Sequence, residues 1–200
     1  MINKKEKLIL IDCDGVLLDW MYAFQTWMET IHRMLPHDSD TYDICEAYDV
    51  PNQVMEDYIK EFNNSAAIGF LPPLRDAVFY VKQLHKLHGF EFHMITSLSK
   101  HKHPQKLREQ NIEYLFGKTI VTDYKYLDTN ARKNKVLAEY SGSNCFWIED
   151  KPENAYDGLK AGLNPILVAH DYNSKCDDLP RFWKWKQIYN HILETLGHDT

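Results

Sequence analysis

Short apolar runs, each ending at a turn or a polar residue, alternate with helical patterns along this chain, and this alternation constrains the fold more than any other feature. The run at residues 8–11 is apolar at every position, which is typical of a strand buried on both faces of a sheet, and the later runs are mostly apolar. Strand–helix–strand alternation predicts an α/β fold: a Rossmann-like parallel sheet with right-handed crossovers and helices on both faces. The runs lie at residues 8–11, 90–95, 119–121, 145–148 and 165–168.

Polar side chains follow the predicted central strands. Asp12 comes directly after the first run, Thr96 after the second, and Asp150 after the fourth. Ligands of such sheets bind at the carboxyl ends of the strands, near the point where the strand order reverses. The sequence therefore predicts a site that gathers these three side chains at one edge of the sheet.

Residues 20–72 separate the first strand from the next sheet element, which is long for a plain crossover. Their helical spacing predicts a small helical cap inserted over the active edge. We therefore expect a catalytic core made of residues 1–19 and 73–200, and a cap made of residues 20–72. The C-terminal stretch also has helical spacing and predicts a closing helix packed on the core.

Charge and composition exclude several classes of function. The 200 residues include 23 Lys and Arg against 29 Asp and Glu, a formal net charge of −6. Proteins that coat a nucleic-acid polymer or an anionic membrane need a positive field, so neither is an expected partner. A small anionic substrate stays possible, because local cations or one metal ion can invert the potential of a cleft. The sequence makes no prediction about the oligomeric state.

The four cysteines form neither a Cys-x-x-Cys pair nor a zinc-ligand spacing, which argues against a disulfide framework and against structural zinc. The apolar run after the N-terminal lysines is too short for a signal peptide, and no run is long enough to span a membrane. We expect a cytoplasmic protein.

Two carboxylates, Asp12 and Asp14, flank one residue just after the first strand and precede Gly15. Side chains so placed converge on one small volume, where like charges repel. A hard cation with oxygen ligands, such as Mg²⁺, is the natural stabilising partner. The alternative is that both aspartates cap the following turn, as Asp-Gly often does.

Taken together, these motifs resemble the haloacid dehalogenase-like (HAD) hydrolase superfamily. Its first motif, Asp-x-Asp-Gly, matches residues 12–15; its second, a Ser or Thr after the next strand, matches Thr96; and its fourth, an acidic pair, matches Glu149 and Asp150. The third motif is a lysine. Lys133 heads a helical pattern in the expected manner, with Lys135 and Lys125 as alternatives.

The resemblance implies a phosphatase mechanism. Asp12 would attack phosphorus and carry the phosphoryl group as an aspartyl-phosphate. Asp14 would protonate the leaving oxygen and then deprotonate the incoming water. Thr96 would donate its hydroxyl to a phosphoryl oxygen, and Lys133 would neutralise charge on nucleophile and phosphate.

The same resemblance implies a Mg²⁺ cofactor. Asp12, Asp150 and the main-chain carbonyl of Asp14 would hold the ion, with Glu149 supporting them from outside the coordination sphere. Because Asp14 stands two residues after the nucleophile, a phosphatase or phosphomutase is favoured over a dehalogenase. A cap between the first and second motifs is typical of enzymes that enclose small phosphorylated metabolites.

Within the superfamily the chain is most similar to the 5'(3')-deoxyribonucleotidases. Trp20 then takes the place of an aromatic residue that stacks on the base, although it could instead pin the cap to the core. Phe70 corresponds to a second cap aromatic, and Lys100 to a lysine that touches phosphate. The expected substrate-binding residues are thus Trp20, Phe70, Ser97, Lys100 and Lys125.

One departure weakens the nucleotidase assignment. Glu149 and Asp150 stand where those enzymes usually carry two aspartates, and the connection before them is longer. A sugar-phosphate phosphatase or phosphomutase on the same scaffold is therefore a rival, and a non-catalytic phosphate- or nucleotide-binding module is another. The favoured hypothesis is a Mg²⁺-dependent phosphatase acting on a (deoxy)nucleoside monophosphate.

Overall fold

A computed structural model describes residues 7–37 and 44–197 of the chain. Its centre is a six-stranded sheet in which every pair of neighbouring strands is parallel, in the order β3-β2-β1-β4-β5-β6. The predicted α/β fold with a parallel sheet is confirmed. The strands are β1 (Leu8–Ile11), β2 (Glu91–Ser97), β3 (Val121–Leu127), β4 (Phe146–Glu149), β5 (Asn164–Val168) and β6 (Arg181–Phe182).

Helical segments fill the connections. Between β1 and β2 lie α1 (Trp20–Trp27) with a π-helical continuation (Met28–His32), α2 (Ile44–Tyr48), α3 (Asn52–Asn64), a 3-10 turn (Ala66–Gly69) and α4 (Ala77–His88). After β2 come α5 (Lys102–Phe116), α6 (Asn134–Leu137) with a 3-10 turn (Ala138–Tyr140), α7 (Pro152–Lys160), a 3-10 turn (Asp171–Asn173) and α8 (Trp185–Thr195).

Strand β1 shows that both faces of the sheet are covered. Ile9 and Ile11 are fully buried in a cluster that also contains side chains of α4, α5 and α8. Leu10, which points to the opposite face, is buried in a second cluster with Trp147 and with Leu137 of α6. Successive strand residues thus face two separate apolar layers, which explains why β1 has no polar position.

The strand order places the reversal point between β1 and β4. From β1 the chain continues outward through β2 and β3, and it then returns to build β4, β5 and β6 on the other side. Ile11 pairs with Ile148, and the Asp12 N–H donates to the Ile148 carbonyl at 2.9 Å. The residues that follow β1 and β4 therefore meet at the crevice where such sheets bind ligands.

Two sheet predictions need correction. The third strand runs from Val121 to Leu127 rather than over residues 119–121, because its second half alternates polar and aromatic residues at an edge of the sheet. Such alternation is typical of an edge strand, whereas the prediction required a continuous apolar run. The short β6 was not predicted at all.

The helices of residues 20–69 pack into the same apolar cluster as β1, through Phe24 and Phe62 among others. The predicted closing helix is present as α8. Its Trp185 is buried and donates its indole N–H to the Val16 carbonyl at 2.9 Å, while Asp76 accepts the N–H of Trp185 at 2.9 Å. Helix α8 thus fixes the loop that follows β1.

None of the described helices combines the length and the apolar character needed to cross a membrane.

Candidate active site

The loop after β1 brings Asp12 and Asp14 to the carboxyl edge of the sheet. It turns tightly, because the N–H groups of Leu17 and Leu18 donate to the Cys13 carbonyl at 2.8 and 3.0 Å. Gly15 makes this turn possible. Its φ of +73° favours glycine, and a Cβ there would lie 2.5 Å from Oδ2 of Asp150.

A buried lysine stands between two buried carboxylates at this edge. The Nζ of Lys133 lies 2.7 Å from Oδ2 of Asp12 and 2.8 Å from Oε2 of Glu149. Lys133 immediately precedes α6 and is buried, whereas Lys135, the second residue of α6, is exposed. Of the alternatives for the third-motif lysine, the structure brings Lys133 to Asp12.

Burial dominates the electrostatics of this group. It raises the pKa of Asp12 to about 7 and that of Glu149 to about 7, although the Lys133 ammonium opposes both shifts. Burial also lowers the pKa of Lys133, but the two carboxylates outweigh it and leave that pKa above its usual range. The lysine therefore stays charged and neutralises one of its two partners.

Asp150 completes an acidic cluster. Carboxylate oxygens of Asp12, Glu149 and Asp150 lie within 4.8 Å of one another. Oδ2 of Asp150 accepts the Tyr172 hydroxyl, while its buried Oδ1 has no hydrogen-bond partner among the described residues. Burial also raises the pKa of Asp150.

Glu149 differs from Asp150, because both of its carboxylate oxygens have hydrogen-bond partners. Oε2 accepts from Lys133, and Oε1 accepts the N–H groups of Asp150 and Lys151 at 3.1 Å each. An unpartnered buried oxygen on Asp150 beside the Asp12 carboxylate fits a hard divalent cation, and Glu149 fits a supporting position.

The Asp14 carboxylate is directed to a different partner. It forms an ion pair with the guanidinium of Arg108, a fully buried residue of α5, and it is not part of the acidic cluster. The same Nη1 of Arg108 donates to Sγ of Cys13 at 2.9 Å. Burial, opposed by Arg108, raises the pKa of the Cys13 thiol to about 12.

A cavity of about 880 Å³ opens above these residues. Its lining residues fall into three groups: a polar group, which we call the floor, a largely apolar group from α1–α3, and a group with aromatic rings and a guanidinium. The floor includes Asp12, Asp14, Thr96, Ser97, Lys133 and Asp150. The apolar group includes Trp20, Met21, Ile44, Met55 and Ile59, and the third group includes Arg75, His170, Tyr172 and Trp183.

Trp20 lies in the cavity wall in a fixed orientation. Its ring stacks on Phe24 with centroids 4.8 Å apart and planes 9° apart, and its indole N–H donates to Oδ1 of Asn63 at 3.0 Å. Asn63 is buried and also lines the cavity. The contacts with Phe24 and Asn63 thus fix the orientation of the Trp20 ring, which remains part of the cavity lining.

Three residues expected to bind substrate do not line the cavity. Phe70 is 81% exposed after the 3-10 turn. Lys100 is an exposed side chain 3.3 Å from Asp128. Lys125 points from the edge strand β3 toward Asp123, at 3.5 Å. By contrast, Ser97 is at the cavity floor and donates its hydroxyl to the Ala131 carbonyl at 2.9 Å.

Three residues at the site were not predicted from the sequence: Tyr172, His170 and Arg108. Tyr172 and His170 follow β5, stack with centroids 4.9 Å apart, and contact Asp150 and the Gly15 carbonyl respectively. The rule applied to β1, β2 and β4, that polar residues after a strand converge, would have found them at β5. Arg108 carries no such signal, because it lies in the interior of a helix.

No family model matches the chain. A nucleotidase of Clostridium acetobutylicum is 25% identical in an alignment of 203 positions that covers 92% of each protein. A haloacid dehalogenase-like family hydrolase from Streptococcus pneumoniae has a TM-score of 0.66 at 9% identity, covering 94% of this chain and 99% of that one.

Two further solved structures show the same architecture. The HAD hydrolase YfnB of Bacillus subtilis, bound to magnesium, has a TM-score of 0.59 at 15% identity, over 94% of this chain and 99% of that one. CbbY of Rhodobacter sphaeroides, in complex with phosphate, has a TM-score of 0.58 at 14% identity, over 92% and 96%. With the strand order, these likenesses establish that the chain has the fold of the haloacid dehalogenase-like hydrolases, as its motifs predict.

Proposed function

We propose that this protein is a Mg²⁺-dependent phosphatase that hydrolyses a small phosphomonoester, a (deoxy)nucleoside monophosphate, through an aspartyl-phosphate on Asp12. The observation that carries the proposal is the position of Asp12: buried, held by Lys133, and flanked by an acidic cluster on the floor of a large cavity. The name of the Clostridium relative and the phosphate bound by CbbY support it.

The residues on the cavity floor can divide the reaction into two displacements. A carboxylate oxygen of Asp12 attacks phosphorus, the bond to the leaving oxygen breaks, and Asp14, which enters this step as the carboxylic acid, gives that oxygen its proton and becomes the carboxylate. Water then attacks the same phosphorus, the bond to Asp12 breaks, and Asp14 takes the proton from water. Thr96 and Lys133 donate to the phosphoryl oxygens as their charge is redistributed.

The residues present fit a divalent cation. Asp12 and Asp150 would hold Mg²⁺ together with the main-chain carbonyl of Asp14, and Glu149 would support them through Lys133 and the backbone. A bound Mg²⁺ would orient the phosphate against the nucleophile and offset the repulsion between them. YfnB, which has the same fold, is described with magnesium bound.

The cavity favours a substrate larger than phosphate alone. Its volume of about 880 Å³ lies toward the upper end of the range usual for small-molecule sites. We propose that residues 20–72 act as a cap and that Trp20 offers its ring to a base. Cys13, Cys145 and Cys176 are free thiols, which fits the reducing cytoplasm as the place where the protein acts.

A substrate panel tests the proposal. We expect phosphate release from nucleoside and deoxynucleoside monophosphates in the presence of Mg²⁺, and loss of release with a chelator. Activity confined to sugar phosphates would contradict the nucleotidase assignment, and phosphoryl exchange between positions of one substrate would indicate a mutase. Nucleotide binding without turnover across the panel would indicate a non-catalytic binding module.

A further inference from the structure

Arg108 is a fully buried arginine that has only part of its hydrogen-bonding capacity satisfied among the described residues. It lies on α5 with 0% of its surface exposed, and its Nη1 contacts the Asp14 carboxylate and the Cys13 sulfur. Its Nε and Nη2 are buried and make no hydrogen bond within residues 7–37 and 44–197. The guanidinium charge is thus balanced by the carboxylate of Asp14.

This pairing is asymmetric. Arg108 is enclosed, does not line the cavity, and could find water only if the surrounding structure opened, whereas the Asp14 side chain is 23% exposed and borders the cavity. An unpaired buried charge is strongly unfavourable, so Arg108 favours the conformations in which Asp14 stays beside it. Without that partner, the Asp14 side chain could adopt other rotamers and be hydrated.

We propose that Arg108 is a positioning residue for Asp14, and that it holds the Asp14 carboxyl group at the cavity edge for proton transfer to and from the reacting oxygens. This inference rests on the proposed function, in which Asp14 protonates the leaving oxygen as its bond to phosphorus breaks. Arg108 itself touches neither substrate nor reacting atoms.

Dependence on the leaving group separates this role from a structural one. A nucleoside 5'-monophosphate has a poor leaving oxygen that needs a proton, whereas 2,4-dinitrophenyl phosphate has a leaving oxygen that departs without one. We expect Arg108→Met to lower kcat/KM for the nucleotide by roughly 10- to 100-fold, and to change kcat/KM for the dinitrophenyl ester by less than about threefold. Arg108→Lys should restore part of the loss.

A double-mutant cycle sharpens the test. Asp14→Asn should show the same selective loss, and Asp14→Asn combined with Arg108→Met should lose little more than Asp14→Asn alone, because both changes remove one function. Lys106→Met is the matched control, since Lys106 is exposed on the same helix and should leave both substrates unaffected. Circular dichroism and thermal melts verify that each variant folds.

Equal losses on both esters, or multiplicative losses in the double variant, would overturn the inference, and so would full activity of a folded Arg108→Met protein. Absence of phosphate release from either ester by the wild-type protein would instead refute the proposed function, and this inference with it. If Arg108→Met fails to fold, the leaving-group comparison on Arg108→Lys decides in the same way.

Discussion

Single residues at the crevice hold the charge balance that the proposed chemistry needs. Lys133 lies within 2.8 Å of two buried carboxylates, Asp12 and Glu149, whose pKa values burial raises to about 7. A carboxyl group with a raised folded-state pKa binds its proton more tightly when folded, so its contribution to stability is lost as pH rises through that pKa. The positive charge of Lys133 reduces this loss of stability, because it stabilises the ionised forms of Asp12 and Glu149.

We therefore expect Lys133→Met to lower kcat by about 10²–10³-fold, because a donor to the phosphoryl group is lost. The same change should lower the free energy of unfolding more at pH 8 than at pH 5, since the unpaired carboxyl groups must stay protonated to remain buried. Lys135→Met is the control, because Lys135 is exposed on α6, the short helix that Lys133 precedes. Phosphate release and urea unfolding at both pH values check this. Equal activity of the two variants would contradict the role given to Lys133.

We expect a substitution at Gly15 to affect both stability and activity. Gly15→Ala combines an unfavourable φ of +73° with a Cβ 2.5 Å from Oδ2 of Asp150. Gly142→Ala is a matched control, because its φ is +72° and no atom lies within 4 Å of the added Cβ. Both variants should lose about 1 kcal/mol or more of stability, measured by urea unfolding. Gly15→Ala should in addition lose most of its activity, whereas Gly142→Ala should keep it; equal activity would show that the approach to Asp150 does not matter.

The site residues that sequence analysis named share one property: position relative to the strands. Asp12, Thr96 and Asp150 each stand at or just beyond the end of a strand, so the order of elements alone brings them together. Tyr172 follows β5, so the same rule also predicts its position, whereas Arg108 contacts the Asp14 carboxylate from the interior of α5. That contact depends on tertiary packing, which one sequence does not encode as a local pattern.

At the scale of secondary-structure elements, α1 and α3 contribute most of the apolar wall of the cavity. Trp20 belongs to this wall, held by Phe24 and Asn63. If its ring stacks on a base, Trp20→Ala should raise KM for a nucleoside monophosphate by about tenfold, the equivalent of about 1.4 kcal/mol. The KM for glycerol phosphate, which has no base, should change little.

The same measurement distinguishes the other role of Trp20. If Trp20 only fixes α1 to α3, Trp20→Ala should lower the melting temperature and leave the ratio of the two KM values unchanged. That result would contradict base stacking. Steady-state kinetics with both esters, together with a thermal melt, therefore decides between the two roles.

The elements were predictable where burial is two-sided. Strands β1, β4 and β5 match their apolar runs to within one residue at each end, because all their residues except the first of β1 and the first of β5 are buried. Strand β3 lies at an edge, where alternate residues need not be apolar, and its prediction began and ended too early. Strand β6 comprises two residues, too few to carry any periodicity.

At the scale of the whole molecule, a net charge of −6 is compatible with an anionic substrate if some of the acidic side chains bind a cation.

We expect Mg²⁺ to stabilise the folded protein by mass action, by about 2.7 kcal/mol when its concentration is 100 times the dissociation constant. Asp150→Asn should abolish the Mg²⁺-dependent rise in melting temperature. Asp177→Asn, a change at an exposed aspartate, should preserve it. An undiminished rise in Asp150→Asn would place the cation elsewhere.

The covalent intermediate on Asp12 is the central claim, and it can be observed directly. A wild-type reaction with a nucleoside monophosphate and Mg²⁺, quenched in acid within the first turnovers and analysed by peptide mass spectrometry, should show one added phosphoryl group on the peptide that contains Asp12. Asp12→Asn should show neither this modification nor phosphate release. Turnover by the folded wild-type protein with no modified peptide, together with turnover by folded Asp12→Asn, would contradict the account.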